Sequence, residues 1–322
     1  PTVMNGGVIK NFSSNMRVGS SEVFVTETDE SDGSIALYNP AIAVLNNIAL
    51  DHKSLEELDN LFGAFVARAS QGVVLNFDDL KVKALTQKIG RVPVISYAIN
   101  DTDATLNAHD MTFAPAGVSF NVMDTQTQHT YPVELQQPGA HNVSNALAAL
   151  CVCKAVGMDM QAAIEGLQQF TGIARRMDVV GARKDITVID DFGHNPDKIA
   201  ASLKTLKAFP GRLIIMFQPH GYGPMKLLGA EIANSFAKHM DDQDILLMPE
   251  PYYAGGTVDR SVGAKEVVEM IAAKDKNAQV FPARDDTMSV ILENAQAGDR
   301  IIIMGARDDT LSDFARAILG AL

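Results

Sequence analysis

The stretch ITVIDDFGHNPDKIAASLKTL, Ile186 to Leu206, joins a short apolar run to a segment with helical periodicity. The run Ile186 to Ile189 is typical of a buried β-strand. After the polar turn, Ile199, Leu203 and Leu206 recur at steps of four and three, which places them on one face of a helix. The stretch therefore predicts a strand, a tight turn and a helix.

The same alternation of apolar strand and amphipathic helix continues to the end of the chain. Four further β-rich runs follow: RLIIMF (Arg212 to Phe217), DILLM (Asp244 to Met248), AQVF (Ala278 to Phe281) and RIIIM (Arg300 to Met304). Continuous apolar strands with helical crossovers predict a parallel sheet that is covered on both faces. We therefore expect residues 174–322 to form a Rossmann-like, doubly wound α/β domain.

The first half of the chain is less regular. EVFVTET, AIAVLNN, GVVLNF and VPVISY have the composition of strands. Between Ala104 and Leu135, apolar and polar residues alternate, as in antiparallel hairpins with one solvated face. The expected helices are Leu55 to Ala69, Asp79 to Lys88, Asn142 to Val156 and Gln161 to Phe170. Residues 1–173 are therefore predicted to form a central domain with a parallel sheet and antiparallel hairpins.

Composition limits the functional classes. The 322 residues carry a formal net charge of −12, so binding to a nucleic-acid backbone is electrostatically opposed. No apolar run approaches the roughly 20 residues of a membrane span, and no export leader is recognisable, so we expect a cytoplasmic protein. The only cysteines, Cys151 and Cys153, provide no disulfide framework.

The turn DDFGHNP is the first candidate site, because ligands of open parallel sheets bind beyond the carboxyl ends of the strands. Pro196 suits the first turn of a helix and Asn195 could cap it. Asp190, Asp191 and His194 are not required for capping. Two adjacent carboxylates at the end of a buried strand are costly unless they are paired or bind a ligand, which favours a function for them.

Two further strand ends carry acids and a histidine. VTETDESDG contains Glu27, Asp29, Glu30 and Asp32, whose crowded charges would be relieved by a divalent cation, although a solvated acidic loop is the alternative. In NNIALDHKS, His52 could be a ligand, a core histidine or a neighbour of a helix cap.

Polar residues also mark a helix start and the junction between the predicted domains. In HNVSNA, Asn142 and Asn145 are three residues apart at the start of a helix and so lie on one face. In ARRMD, Arg175 and Arg176 could hold phosphate oxygens with a guanidinium fork, and an inter-domain salt bridge is the alternative.

Six motifs together resemble one family. ETDESD, NNIALDH, HNVSNA, ARRMD, DDFGHNP and FQPH match, in order and across nearly the whole chain, the central and C-terminal domains of the Mur ligases, ATP-dependent enzymes of peptidoglycan precursor assembly. Within the family, the chain most resembles the branch that joins L-alanine to UDP-N-acetylmuramate. The branch that joins a tripeptide to the same sugar nucleotide is the alternative.

The resemblance implies a reaction and a set of residues. ATP converts a carboxylate to an acyl phosphate, and the amine of an amino acid or short peptide attacks it to form an amide. Glu27 and His52 would hold Mg²⁺, and Asn142 and Asn145 would contact the nucleotide. Arg176 and Asp191 would orient the ATP phosphates, with Asp190 in the same nucleotide-binding set and His194 near the ribose. Glu27, His52, Arg176 and Asp191 would be the catalytic residues.

The chain departs from the family pattern at two places. No G-K-S or G-K-T occurs, so the glycine-rich phosphate loop is absent, and MNGGVIKNF (Met4 to Phe12) resembles the segment that follows that loop. Together with Pro1 in place of Met, this suggests that the uridine-nucleotide-binding domain and the phosphate-loop unit are missing, and we expect the chain as given to be inactive. After FQPH the chain reads GYGPMK, which makes His220, Tyr222 and Lys226 candidates for binding the acceptor.

Two other functions compete with the ligase. A noncatalytic nucleotide-binding relative that has lost the phosphate loop would retain the same motifs. A dehydrogenase would need a G-x-G-x-x-G after a strand, and MGARDD at Met304 has only one of those glycines.

Overall fold

The computed structural model describes residues 1–30, 33–48, 54–115, 117–252, 259–306 and 308–322. The chain folds into two compact units, Pro1–Thr171 and Gly172–Leu322. In the described part of the chain, no helix combines the length and the apolar character needed to cross a membrane.

The first unit contains two sheets. Its small sheet has the order β2-β1-β3 and consists of β1 (Thr2–Ile9), β2 (Ser14–Arg17) and β3 (Phe24–Thr26). Its large sheet has the order β4-β5-β6-β7-β8-β9 and consists of β4 (Ile42–Leu45), β5 (Gly72–Asn76), β6 (Val94–Ala98), β7 (Leu106–Ala114), β8 (Gly117–Asp124) and β9 (His129–Leu135). β4 to β7 pair in parallel, whereas β7, β8 and β9 pair as antiparallel hairpins.

Among the described residues of this unit, four α-helices cover the large sheet: α1 (Leu55–Ala67), α2 (Leu80–Ala84), α3 (Ala140–Ala155) and α4 (Met160–Gln168). Residues of β5 alternate between the two faces, so Val73 and Leu75 pack with α1, while Val74 packs with α3 and α4. The helix predicted over Asp79 to Lys88 is shorter, because α2 ends at Ala84 and a 3₁₀ turn over Leu85–Lys88 follows.

The second unit is one six-stranded sheet between two layers of helices. Its order is β10-β11-β15-β12-β13-β14, with β10 (Asp178–Arg183), β11 (Ile186–Asp191), β12 (Leu213–Gln218), β13 (Ile245–Pro249), β14 (Asn277–Phe281) and β15 (Arg300–Gly305). Of the strands described in this sheet, only β10 is antiparallel, and it joins β11 through Lys184 and Asp185, which both have positive φ. The helices are α5 (Pro196–Lys207), α6 (Tyr222–His239), α7 (Ala264–Ala272), α8 (Thr287–Asn294) and α9 (Leu311–Ala321).

The two helical layers differ in the strands that they follow. α5, α6 and α7 follow β11, β12 and β13 and pack on one face, whereas α8 and α9 pack on the other face. β15 lies between β11 and β12, and the chain leaves β15 and β12 towards opposite faces. A topological switch point therefore lies between the carboxyl ends of β15 and β12.

The predicted fold class, a parallel-sheet domain with antiparallel hairpins followed by a Rossmann-like doubly wound domain, is confirmed. Three strands were not predicted: β1, β2 and β10.

Candidate functional site

The turn that follows β11 is organised by the carboxylate of Asp191. This side chain points to the α5 face and is buried. Its Oδ1 accepts the Met177 N–H at 2.9 Å, and its Oδ2 accepts the Gly193 N–H at 3.0 Å and the Ser202 hydroxyl at 2.7 Å. A Cβ on Gly193 would lie 2.7 Å from Asp191 Oδ2, so the turn needs glycine there. Asp191 thus has a structural role that the sequence analysis did not anticipate.

Asp190 points to the opposite face and is paired less completely. Its Oδ2 accepts a hydrogen bond from the Ser312 hydroxyl of α9, while its Oδ1 is 3.7 Å from Arg175 Nε and has no hydrogen-bond partner in the part of the chain that the structure describes. Burial raises the pKa of this carboxyl, and the Ser312 bond and the Arg175 charge oppose the rise only in part.

Arg175 and Arg176 enclose the ring of Phe192. The guanidinium carbons lie 4.9 Å and 5.0 Å from the ring centroid, distances typical of cation–π contacts. Arg175 is buried, and its Nη2 donates to the Gly305 carbonyl at 2.7 Å. Arg176 is exposed, so its guanidinium can receive an anion while one face rests on Phe192. The ion pairs of Arg175, with Asp190 and Asp309, lie within the second unit.

Two histidines lie at the same end of the sheet. His194 Nδ1 donates to the Phe192 carbonyl at 2.9 Å, which fixes the proton on Nδ1 in the neutral ring. The His194 ring meets the Phe192 ring edge-on at 5.4 Å, and it meets the His220 ring at 5.0 Å. The structure therefore brings together the predicted residues of the DDFGHNP turn and the histidine of FQPH.

The other acceptor candidates contact the segment before α7. Lys226 forms an exposed ion pair of 2.5 Å with Asp259, and the Tyr222 ring lies 5.6 Å from the Arg260 guanidinium. Hydrogen bonds from Lys226 and from Ser261 lower the pKa of Asp259 to about 2. Both candidates are thus engaged with residues 259 and 260, and their role in binding an acceptor stays a prediction.

Gln218 was missed by the sequence analysis, although it lies in the FQPH motif. It is the last residue of β12 and is only 6% exposed, and among the described residues its Oε1 has no hydrogen-bond partner. The available signal was a polar amide that directly ends a continuous apolar strand.

In the first unit, the two predicted asparagines contact each other. Asn142 lies in the first turn of α3, and its Nδ2 donates to the Pro138 carbonyl at 2.8 Å. The exposed Asn145 lies one turn later, with its Nδ2 3.5 Å from Asn142 Oδ1. The N-cap of α3 is Gly139, so Asn142 is not needed as a cap.

The predicted metal ligands are only partly within the described structure. Glu27 follows β3, and its exposed carboxylate accepts the Gly6 N–H at 2.7 Å. His52 and Asp32 lie outside the described residues. Across the ranges that the structure describes, no three histidine, cysteine or acidic side chains form a group that could hold a metal.

The fold and the site define a two-unit α/β protein in which charged and polar side chains gather where the strands of the second sheet end. Comparison with known proteins gives the family. The Mur ligase middle domain matches residues 5–153, and the Mur ligase glutamate ligase domain matches residues 175–307. A UDP-N-acetylmuramate–L-alanine ligase from a Sulfurihydrogenibium species is 33% identical, over 97% of this chain and 68% of the relative. The chain belongs to the Mur ligase family.

Solved structures share the fold. The UDP-N-acetylmuramate–alanine ligase of Thermotoga maritima has a TM-score of 0.79 at 23% identity, over 100% of this chain and 68% of that chain. The MurF ligase of Thermotoga maritima, in complex with ADP, has a TM-score of 0.71 at 16% identity, over 99% of this chain and 73% of that chain. The chain spans about two thirds of the length of the curated relatives that it matches.

Proposed function

We propose that this chain forms the middle and C-terminal part of an ATP-dependent amide ligase that joins L-alanine to UDP-N-acetylmuramate. The observation that carries the proposal is the 33% identity, over nearly the whole chain, to a relative named for that reaction. The first unit would contribute to ATP binding, and the second would bind phosphate and the amino acid.

Arg176 is the group in the second unit that best fits a phosphate. In the proposed reaction, the γ-phosphoryl group of ATP passes to the sugar carboxylate, so negative charge must be held in place and neutralised. The Arg176 guanidinium is exposed, and its face is held 5.0 Å from the Phe192 ring. A planar fork held in this way binds phosphate oxygens with two parallel hydrogen bonds.

Asp191 supports this role by holding the backbone next to Arg176 and Phe192. Its carboxylate binds the backbone N–H of Met177, directly after Arg176, and that of Gly193, directly after Phe192. It therefore fixes both sides of the stacked pair. Asp190 and His194 lie on the same turn and belong to the proposed nucleotide site.

In the first unit, Asn142 and Asn145 present amide groups on one face of α3, which suits contact with a nucleotide. Mg²⁺ would neutralise phosphate charge during the transfer. Glu27 offers an exposed carboxylate of the kind that this ion prefers, and the ligand proposed to complete the pair, His52, lies outside the described residues.

The test uses the complete gene product that contains these 322 residues. Purified protein is mixed with ATP, Mg²⁺, UDP-N-acetylmuramate and either L-alanine or the tripeptide, and phosphate release and the amide product are measured. We expect amide formation with L-alanine. Release of phosphate with the tripeptide alone would move the chain to the recycling branch, and absence of amide with either acceptor would overturn the proposal.

Arg176→Met should lower kcat/KM by at least about 100-fold, because one charged donor to the transferred phosphoryl group is lost. Arg316→Met is the matched control, since Arg316 is an exposed arginine of the same unit on α9. Wild-type turnover in Arg176→Met would exclude the proposed role of this guanidinium.

A further inference from the structure

Gln218 lies at the topological switch point of the second unit. Its neighbour across the sheet, in register, is Gly305, the last residue of β15. Gly305 has a φ of 152°, and a Cβ there would lie 2.7 Å from the Gln218 carbonyl oxygen and 2.9 Å from Leu311 Cδ1. The positive φ and this close packing require glycine beside Gln218. Switch points are where open α/β sheets bind their ligands.

The side chain of Gln218 shares a face of the sheet with Asp190. Met216 and Val188 pack with the layer of α8 and α9, and residues two further along each strand point the same way. Gln218 and Asp190 therefore lie on the two strands that flank β15, in register with Gly305 and Ile303 respectively, and the Arg175 guanidinium contacts both Asp190 and the Gly305 carbonyl.

The unpaired Gln218 Oε1 restricts the ligand. An amide oxygen that is buried without a partner is unfavourable, so native proteins rarely retain one without a reason. Because Oε1 is only an acceptor, it cannot meet a phosphate oxygen and needs an N–H or O–H donor. It is also neutral, so it can accept from an amine without strongly favouring the charged ammonium form.

We infer that Gln218 binds the attacking amine of the amino acid, with Oε1 accepting one amine N–H. The inference rests on the proposed ligase function. β15 separates β12 from β11, so the Gln218 strand lies about 10 Å from the strand that carries the DDFGHNP turn. The rings of His220 and His194, one from each strand end, approach to 5.0 Å. The proposed amine site at the end of β12 and the proposed phosphate site at the end of β11 are thus adjacent but separate.

Amide formation requires only the amine, the acyl phosphate and water. The ammonium first loses a proton to solvent. The nitrogen lone pair then forms the C–N bond to the acyl carbon, the C–O bond to phosphate breaks, and phosphate leaves with that electron pair. The second proton passes to water. Gln218 holds the neutral amine during the attack and takes no proton itself.

Gln218→Met removes the acceptor and keeps the length of the side chain. In the complete gene product, we expect it to raise the KM for L-alanine by about tenfold, the value of one hydrogen bond at the upper end of the usual range, with the KM for ATP within about twofold of wild type. Gln279→Met, on the exposed part of β14 in the same sheet, is the matched control.

Gln218→Glu gives a readout that a structural role would not move. A carboxylate beside the bound amine stabilises its ammonium form, so the acidic limb of the kcat profile, which reports groups in the enzyme–substrate complex, should shift to higher pH. The charged and titratable groups described at this end of the sheet include Arg175, Asp190, His194, His220, Arg284, Asp308 and Asp309. They are the same in both proteins, so the difference between the two profiles reports position 218.

Three outcomes decide the inference. If Gln218→Met leaves the KM for L-alanine unchanged, or changes only the KM for ATP, the inference is overturned while the ligase function stands. If Gln218→Met does not fold, an unshifted pH profile in Gln218→Glu overturns it. If neither wild type nor Gln279→Met forms amide with any amino acid, the proposed function fails and the inference fails with it.

Discussion

In the second unit's sheet, the hydrogen bonding of buried polar groups differs between the amino ends and the carboxyl ends of the strands. At the amino end, Asp244 is fully buried and accepts the Leu213 N–H at 2.8 Å, the Asp241 N–H at 2.7 Å and the Lys207 ammonium at 2.8 Å. Arg212 binds both carboxylate oxygens of Asp299, at 3.1 Å and 2.6 Å. In these two clusters, the donors and acceptors named are matched within the protein.

At the carboxyl end of the sheet, several buried polar atoms lack a hydrogen-bond partner among the described residues. Among the described residues, Arg175 Nε, Asp190 Oδ1 and Gln218 Oε1 are all buried there without a hydrogen-bond partner. Arg300 Nε and His239 Nε2 are the exceptions at the amino end. The Arg300 guanidinium still donates to the carbonyls of Leu206, Phe209 and Gly211, and His239 Nδ1 donates to the Ser235 carbonyl. Unsatisfied groups that cluster at one end of a sheet indicate where a ligand completes the hydrogen bonding. The amino end is therefore built for stability, and the carboxyl end for binding.

The largest expected effect is a loss of stability when a buried carboxylate is removed from the amino end of the sheet. Asp244→Ala leaves two backbone N–H groups without their carboxylate, and it leaves the Lys207 ammonium with only its ion pair to the exposed Asp241, at 2.6 Å. Losing a fully buried carboxylate together with its ion pair and two N–H bonds should lower the free energy of unfolding by about 3–5 kcal/mol. Urea denaturation followed by circular dichroism measures this loss.

Asp242→Ala is the control for that measurement. The Asp242 carboxylate is exposed and pairs with Lys276 at 2.7 Å, so its removal should leave the free energy of unfolding close to that of wild type. Equal losses in the two variants would show that burial at the amino end does not decide the effect.

A second variant sharpens the comparison within the DDFGHNP turn. Asp191→Ala leaves two backbone N–H groups and the Ser202 hydroxyl unpaired, but it strands no buried cation, so we expect a loss of about 2–4 kcal/mol. Asp197→Ala, in the exposed first turn of α5, should lose only about 0.5 kcal/mol through the helix dipole. If Asp191→Ala denatured at the same urea concentration as wild type, its carboxylate would not be holding the turn.

Much of the fold could be predicted because its strands are continuous apolar runs between helical periodicities. ITVI predicted β11, and the structure extends that strand through Asp191. β10 was missed because it is an edge strand, partly exposed, with a register shift between Val179 and Gly181. β1 was missed because Gly6 and Gly7 interrupt it, and glycine disfavours strands.

The site was less predictable, because the satisfaction of a polar group depends on neighbours that are distant in sequence. Asp190 and Asp191 are adjacent and identical in type, yet alternation along β11 sends one to Ser312 of α9 and the other to Ser202 of α5. Sequence reasoning assigned both to the nucleotide. Only the structure separates a carboxylate with three donors from one with an unpaired oxygen.

The smallest expected effect is a change in pH dependence at the carboxyl end. Burial raises the pKa of Asp190 above its ordinary 3.8, so between that value and its raised pKa the folded protein holds a proton that the unfolded chain has lost. The free energy of unfolding should therefore fall as pH rises through this window. Asp190→Asn cannot titrate, so its stability relative to wild type should increase across the window and then level off.

Asp124→Asn in the first unit should show the opposite slope. Burial alone would raise the pKa of Asp124, but the hydrogen bonds from Lys154 and from the Gln126 N–H outweigh it and hold the pKa below 3.8. The charged carboxylate of Asp124 therefore stabilises the fold above that value, and the contribution is lost as pH falls through the lowered pKa. Urea denaturation at a series of pH values compares both variants with wild type. Parallel curves for Asp190→Asn and wild type would mean that Asp190 is as well solvated or paired as an ordinary carboxyl, and the contrast between the two ends of the sheet would then rest on Arg175 and Gln218 alone.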